Sequence, residues 1–217
     1  MSKNSAPKTG VGIIDRTFEE ICKKLFLRFI PQCVKPNHIT MFGLLAGVCA
    51  AYGFYMANFG RNYLFLAIIG MLIFQICDTL DGTVARNRNQ KSTQGYFLDQ
   101  MTDIFVTITI FLTIGFSSYA KLGLLIFPAI LYPFNMVIIL HWINLKNVWP
   151  FPRFGPVELY FSTILLTLVT FFMNFRPFDI FGHSLGLFDI ACVIIIPFSI
   201  IENLGSALKL YRELEEK

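Results

Sequence analysis

Asp78, Asp81, Asp99 and Asp103 interrupt long apolar runs in the pattern D-x-x-D-G-x-x-A-R-x8-G-x-x-x-D-x-x-x-D, which also takes in Gly82, Ala85, Arg86 and Gly95. Ionisable side chains at membrane depth are costly and mark working sites. Spacings of three and four place Asp78 with Asp81 on one helix face and Asp99 with Asp103 on another. Two adjacent helices can then aim four carboxylates at one point, where like charges repel and call for cations. Hard oxygen donors suit Mg²⁺ or Mn²⁺, not zinc, because no His or Cys belongs to the pattern. A pair of such ions would bridge phosphate oxygens and stabilise a displacement at phosphorus. Three aspartates could hold metal while one stays free to take a proton from an attacking hydroxyl. Arg86 offers a planar fork to a phosphate oxygen. A purely structural ion-pair network is the bland alternative, but one arginine cannot balance four carboxylates.

The elements that must position these groups are membrane helices. Of 217 residues, 55% are hydrophobic, and the mean hydropathy is +0.60. Apolar runs predict six spans, roughly 38–59, 63–86, 95–117, 120–143, 157–175 and 186–208. The expected fold is therefore all-α: a six-helix integral membrane bundle preceded by an amphipathic surface helix. No signal peptide is expected, since no short apolar core with a cleavage site follows the basic N-terminal stretch. Residues 14–30 alternate apolar and charged positions at helical spacing. They read as a helix on the inner membrane surface or as one packed on the adjoining loops. Three parts follow: a cytoplasmic segment over 1–36, the membrane domain over 37–210 and a cytoplasmic tail over 211–217.

Basic residues set the orientation. Lys and Arg number seven in residues 1–36, three around 86–91, two around 146–153 and three over 209–217, against three (Arg61, Lys121, Arg176) in the alternate loops. This asymmetry places both termini, and the aspartates with them, on the cytoplasmic side. The net charge of +4 then reads as attraction to anionic lipid rather than to nucleic acid. Five cysteines show no paired or metal-ligand spacing. The other polar groups at membrane depth (Asn135, His141, Glu158, Glu202 and Asn203) fall towards the same ends of their spans as the aspartates. That bias points to one site, with Asn135, His141, Glu158 and Glu202 as candidates for an acceptor or headgroup subsite. His38 and His183 read as boundary residues without a role.

The complete motif, intact at every fixed position, resembles the signature of the CDP-alcohol phosphotransferase family. The resemblance extends to the six-span layout and to Pro36-Asn37-x-x-Thr40 at the opening of span one. It implies a homodimeric membrane enzyme of phospholipid synthesis that moves a phosphate-bearing group from a CDP-alcohol to a lipid or alcohol acceptor and releases CMP. By that resemblance Asp78, Asp81 and Asp99 hold two divalent ions, Mg²⁺ or Mn²⁺, and Asp103 is both a shared ligand and the general base. Gly82, Ala85, Arg86 and Gly95 line the CDP site with Asp78, and Asn37 and Thr40 stand at its nucleotide end.

Two features pull the substrate in different directions. Phe154-Gly155-Pro156-Val157-Glu158 is similar to a segment of choline and ethanolamine phosphotransferases, which transfer to diacylglycerol, and an acidic Glu158 or Glu202 suits a cationic headgroup. The stretch from Arg86 to Asp103 instead resembles phosphatidylinositol synthases, with Gln100 where the aminoalcohol enzymes usually carry histidine. Beyond Arg86, Arg88 and Lys91 the same face offers only Lys146 and Arg153, a thin basic pocket that favours a neutral acceptor. The aminoalcohol reading leads. A cation transporter is a remote alternative, since it needs carboxylates spread along a path rather than gathered near one face.

Overall fold

The computed structural model describes residues 8–9, 13–150, 155–174, 177–180 and 183–215. Seven α-helices make up nearly all of it: α1 (Ile13–Phe26), α2 (Pro36–Met56), α3 (Tyr63–Asn87), α4 (Thr93–Gly115), α5 (Leu122–Lys146), α6 (Pro156–Phe172) and α7 (Leu187–Glu215). Residues Lys8–Thr9 pair in parallel with Trp149–Pro150, and Phe178–Ile180 pair antiparallel with His183–Leu185. The expectation of an all-α membrane bundle holds. Five helices (α2, α3, α4, α5 and α7) are long and apolar enough to cross a membrane. The sixth expected span is α6, whose 17 residues rise only about 25 Å.

Local chemistry sets the helix starts. Pro36 opens α2, and the Lys35 N–H donates to His38 Nδ1 at 3.4 Å, so His38, expected to have no role, caps the helix. Ser92 Oγ accepts from the Gly95 N–H at 3.0 Å and starts α4. At α6, Pro156 takes the first position and Glu158 reaches back to the Gly155 N–H at 3.1 Å. Asn147, left-handed at φ 56°, closes α5. Pro128 and Pro133 lie inside α5 and Pro197 inside α7, tolerated where neighbouring helices satisfy the freed backbone groups.

Close main-chain approach organises the centre. Helix α2 packs against both α3 and α4. A β-carbon at Gly70 would lie 2.7 Å from the Ala46 carbonyl and the Ala50 nitrogen, and one at Gly47 would lie 2.5 Å from a Val106 methyl. Small residues are thus what lets these helices touch, as packing inside lipid requires. Around that contact Phe54, Leu64, Met71, Phe74, Ile110 and Ile114 form the core. Many of the 24 phenylalanines face outward instead, among them Phe105, Phe127, Phe134 and Phe198. That is the surface a bilayer would cover.

Helix α1 packs on protein. Its Cys22 is buried with Ile39, Cys77, Leu80 and Val84, and Phe18 meets Phe161 of α6 edge to face at 5.1 Å. Ile21, Leu25 and Phe26 remain exposed on the same helix. Arg88, just past α3, donates to the Ile30, Pro31 and Val34 carbonyls at 2.7–3.2 Å. The segment joining α1 to α2 is thereby fixed to the end of α3.

Candidate active site

Helices α3 and α4 carry the four aspartates, and α2 lies against both. Asp78, Asp99 and Asp103 each offer a carboxylate oxygen, and these oxygens all lie within 4.8 Å of one another. An all-oxygen donor set at this spacing fits a hard divalent cation and does not fit zinc. Gln75, one turn before Asp78 and buried, donates to Asp78 Oδ2 at 3.4 Å. The sequence did not single out Gln75, although a lone amide three residues from an aspartate in an apolar helix is a legible signal.

Asp81 takes a separate position. Its Oδ2 accepts from Thr40 Oγ1 of α2 at 2.5 Å, with both residues buried. Thr40 also donates to the Pro36 carbonyl at 3.3 Å. Asp81 is still within electrostatic reach of Asp99 and Arg86. Thr40 is therefore tied to the carboxylates themselves and not only to the capping turn of α2.

The remaining motif residues border this cluster. A β-carbon on Gly95 would lie 3.0 Å from Asn37 Oδ1, so the first turns of α2 and α4 meet there. A β-carbon on Gly82 would lie 3.3 Å from an Arg86 terminal nitrogen. Ala85 is half-buried one residue before Arg86. The Arg86 guanidinium donates to Thr83 Oγ1 at 3.1 Å and forms an ion pair with Glu19 of α1. That contact, across 67 residues, was not foreseen.

The candidate acceptor residues sit on α5, α6 and α7. His141 is exposed and its Nδ1 bonds the Val137 carbonyl of its own helix at 2.8 Å. Glu158 caps α6 as described. Glu202 is half-buried beside Asn203. Asn135 of α5 makes a helix-to-helix bond, donating to Asn203 Oδ1 of α7 at 2.6 Å. Of the two extra basic residues, Lys146 pairs with Glu213 at 3.5 Å, and Arg153 lies outside the described residues.

Sequence reasoning missed a group of hydroxyls. Thr107, one turn beyond Asp103 in α4, shares a 2.8 Å hydrogen bond with Tyr160 of α6. Tyr160 in turn rests on Phe74, one turn before Asp78, with ring centroids 5.2 Å apart. The Tyr132 hydroxyl of α5 is close enough to feel Asp103, Asp78 and Tyr160. Aromatic residues in a membrane helix ordinarily read as lipid contact or packing, so only the fold reveals this group.

A model of the family described as CDP-alcohol phosphatidyltransferase matches residues 33–201. An uncharacterized protein of Aquifex aeolicus is 34% identical over 106 residues, 49% of this chain and 51% of its own length. Cholinephosphotransferase 1 of Rattus norvegicus is 28% identical over 189 residues, 82% of this chain and 46% of its own. An uncharacterized class-I family protein 1 of Dictyostelium discoideum is 26% identical over 202 residues, 82% of this chain and 52% of its own. The chain spans about half the length of the curated relatives it matches.

Proposed function

Because the chain belongs to the CDP-alcohol phosphatidyltransferase family, we propose that it is a membrane enzyme of phospholipid synthesis, transferring a phosphate-bearing group from a CDP-alcohol to a hydroxyl acceptor with release of CMP. The observation that carries this reading is the meeting of the Asp78, Asp99 and Asp103 oxygens within 4.8 Å, beside Arg86 and the Gly82 and Gly95 backbones. These three carboxylates, with Asp81 adjoining, would hold Mg²⁺ or Mn²⁺. Such ions, when bound, neutralise the donor diphosphate and make CMP a better leaving group.

The chain's own residues do the rest. Arg86 exchanges Glu19 for a phosphate oxygen. Asn37 and Gly95, in contact across the first turns of α2 and α4, border the nucleotide, and Thr40 holds Asp81 in place. Asp103 takes the proton of the acceptor hydroxyl. The acceptor oxygen then bonds the phosphorus that carries the alcohol, and that phosphorus releases its bridging oxygen, with the bond's electron pair, as CMP. The charge asymmetry of the loops supports a site on the cytoplasmic side, where a water-soluble and a lipid substrate can meet, in an enzyme that works as a homodimer.

The lead substrates are CDP-choline or CDP-ethanolamine with diacylglycerol, supported by the likeness to cholinephosphotransferases over 82% of the chain. A second reading, phosphatidyl transfer from CDP-diacylglycerol to a neutral alcohol, is supported by the buried Gln100 beside Asp99 in place of histidine. The test is CMP release from a panel: CDP-choline and CDP-ethanolamine with diacylglycerol, and CDP-diacylglycerol with inositol or serine, each with and without Mg²⁺ or Mn²⁺. Release with one donor class assigns the substrate. No release with any donor, together with cation flux in vesicles, would replace the reading with a transporter.

A further inference from the structure

Two side-chain atoms among the described residues are buried without a hydrogen-bond partner: the Tyr132 hydroxyl and Asn203 Nδ2. Leaving such a buried group unpaired is costly, so each orphan calls for an explanation. Both lie at one corner of the bundle. Tyr132 and Asn135 are three residues apart on one face of α5, and Asn135 holds Asn203 of α7 at 2.6 Å. Helix α5 packs against both α4 and α7. The Tyr132 hydroxyl is near Thr107, without hydrogen-bond geometry, and within electrostatic reach of Asp103. A line of uncharged polar groups thus leads from Asp103 through Thr107 and Tyr132 to Asn135 and Asn203.

We infer that Tyr132 and Asn203 form the acceptor subsite, receiving an uncharged alcohol that carries a second oxygen. This inference rests on the transfer reaction proposed above. The hydroxyl of Tyr132 and the amide of Asn203 both donate, which matches a hydroxyl or ester-carbonyl oxygen and offers nothing to a phosphate's charge. Of the basic residues on α5 and α7, Lys146 pairs with Glu213 at 3.5 Å and Lys209 lies over the Trp142 ring, 5.8 Å from its centroid. Diacylglycerol and inositol share the required chemistry, and the experiment separates them.

Tyr132→Phe removes only the orphaned hydroxyl. Purified protein in nanodiscs is assayed for CMP release with dioctanoylglycerol or inositol as acceptor, and for direct binding of each acceptor without donor. The expected result is a five- to tenfold rise in KM and in Kd for one acceptor, with unchanged donor KM and an equal or higher melting temperature. A structural hydroxyl would instead lower the melting temperature or raise both KM values together, and either outcome overturns the subsite. Unchanged binding of both acceptors, as expected if the hydroxyl serves only a bound water, also overturns it. If wild-type protein releases no CMP, the transfer reading fails by itself, and the binding comparison still decides the subsite.

Discussion

Replacing Gly47 by alanine should slow the reaction from a position outside the carboxylate cluster. The added β-carbon would lie 2.5 and 2.7 Å from the two methyls of Val106, whereas carbon–carbon contacts settle at about 3.5–4.0 Å. Either α4 retreats from α2 by about 1 Å or Val106 leaves its rotamer, at about 1–3 kcal/mol for such overpacking. Val106 is buried in α4 three residues beyond Asp103, so a retreat carries Asp99 and Asp103 away from Asp78. A misplacement of about 1 Å costs about 10²-fold in rate. The assay is CMP release at saturating donor, acceptor and Mg²⁺, with wild type, Gly47→Ala, Val106→Ala and the double variant side by side. Val106→Ala alone should keep turnover near wild type, and in combination it should restore most of the lost rate. Wild-type turnover for Gly47→Ala, or a double variant as slow as the single, would refute the link between the α2–α4 contact and the site.

Three other outcomes are expected. Asp103→Asn should retain CDP-alcohol binding by calorimetry while kcat falls about 10²–10⁴-fold, the usual worth of a general base; an equal loss of binding would make Asp103 chiefly a metal ligand. Glu19→Gln should free Arg86 and lower the donor KM, by at most about fivefold because exposed ion pairs contribute about 0–1 kcal/mol; an unchanged or higher KM would show that Glu19 does not compete with the donor. Burial pushes the Cys22 thiol up to about 11, so its reactive thiolate forms only as pH approaches that value. A water-soluble maleimide at pH 8 should therefore label the exposed Cys33 and spare Cys22, as read by peptide mass; rapid labelling of Cys22 at that pH would show that α1 does not stay docked.

The helices and the aspartates were legible because both are written in short-range spacing. Apolar runs gave α2 to α5 and α7, and steps of three and four residues put each aspartate pair on one face. What escaped was set at long range. Asp81 looked like an equal member of the cluster, but its partner Thr40 is 41 residues away, on a helix whose approach depends on Gly47 and Gly70. The capping bonds of Glu158 and His38 escaped for the opposite reason. Their partners lie three residues away, and a capping residue at a helix start resembles a ligand or a bystander until the backbone is in view. Tyr132, Tyr160 and Thr107 carry no local signal, because their meeting requires α4, α5 and α6 to converge.

Arg88 gives the surface helix a fixed root. Its guanidinium grips three main-chain oxygens, and such half-buried bonds respond weakly to dissolved ions. Midway along the same helix, Glu19 pairs with Arg86 at the surface, where dissolved salt weakens such a contact. Salt should therefore loosen the hold of α1 on Arg86 while the anchorage at Arg88 stays intact. Ionic strength then acts as a dial on how freely Arg86 can turn to an incoming anion.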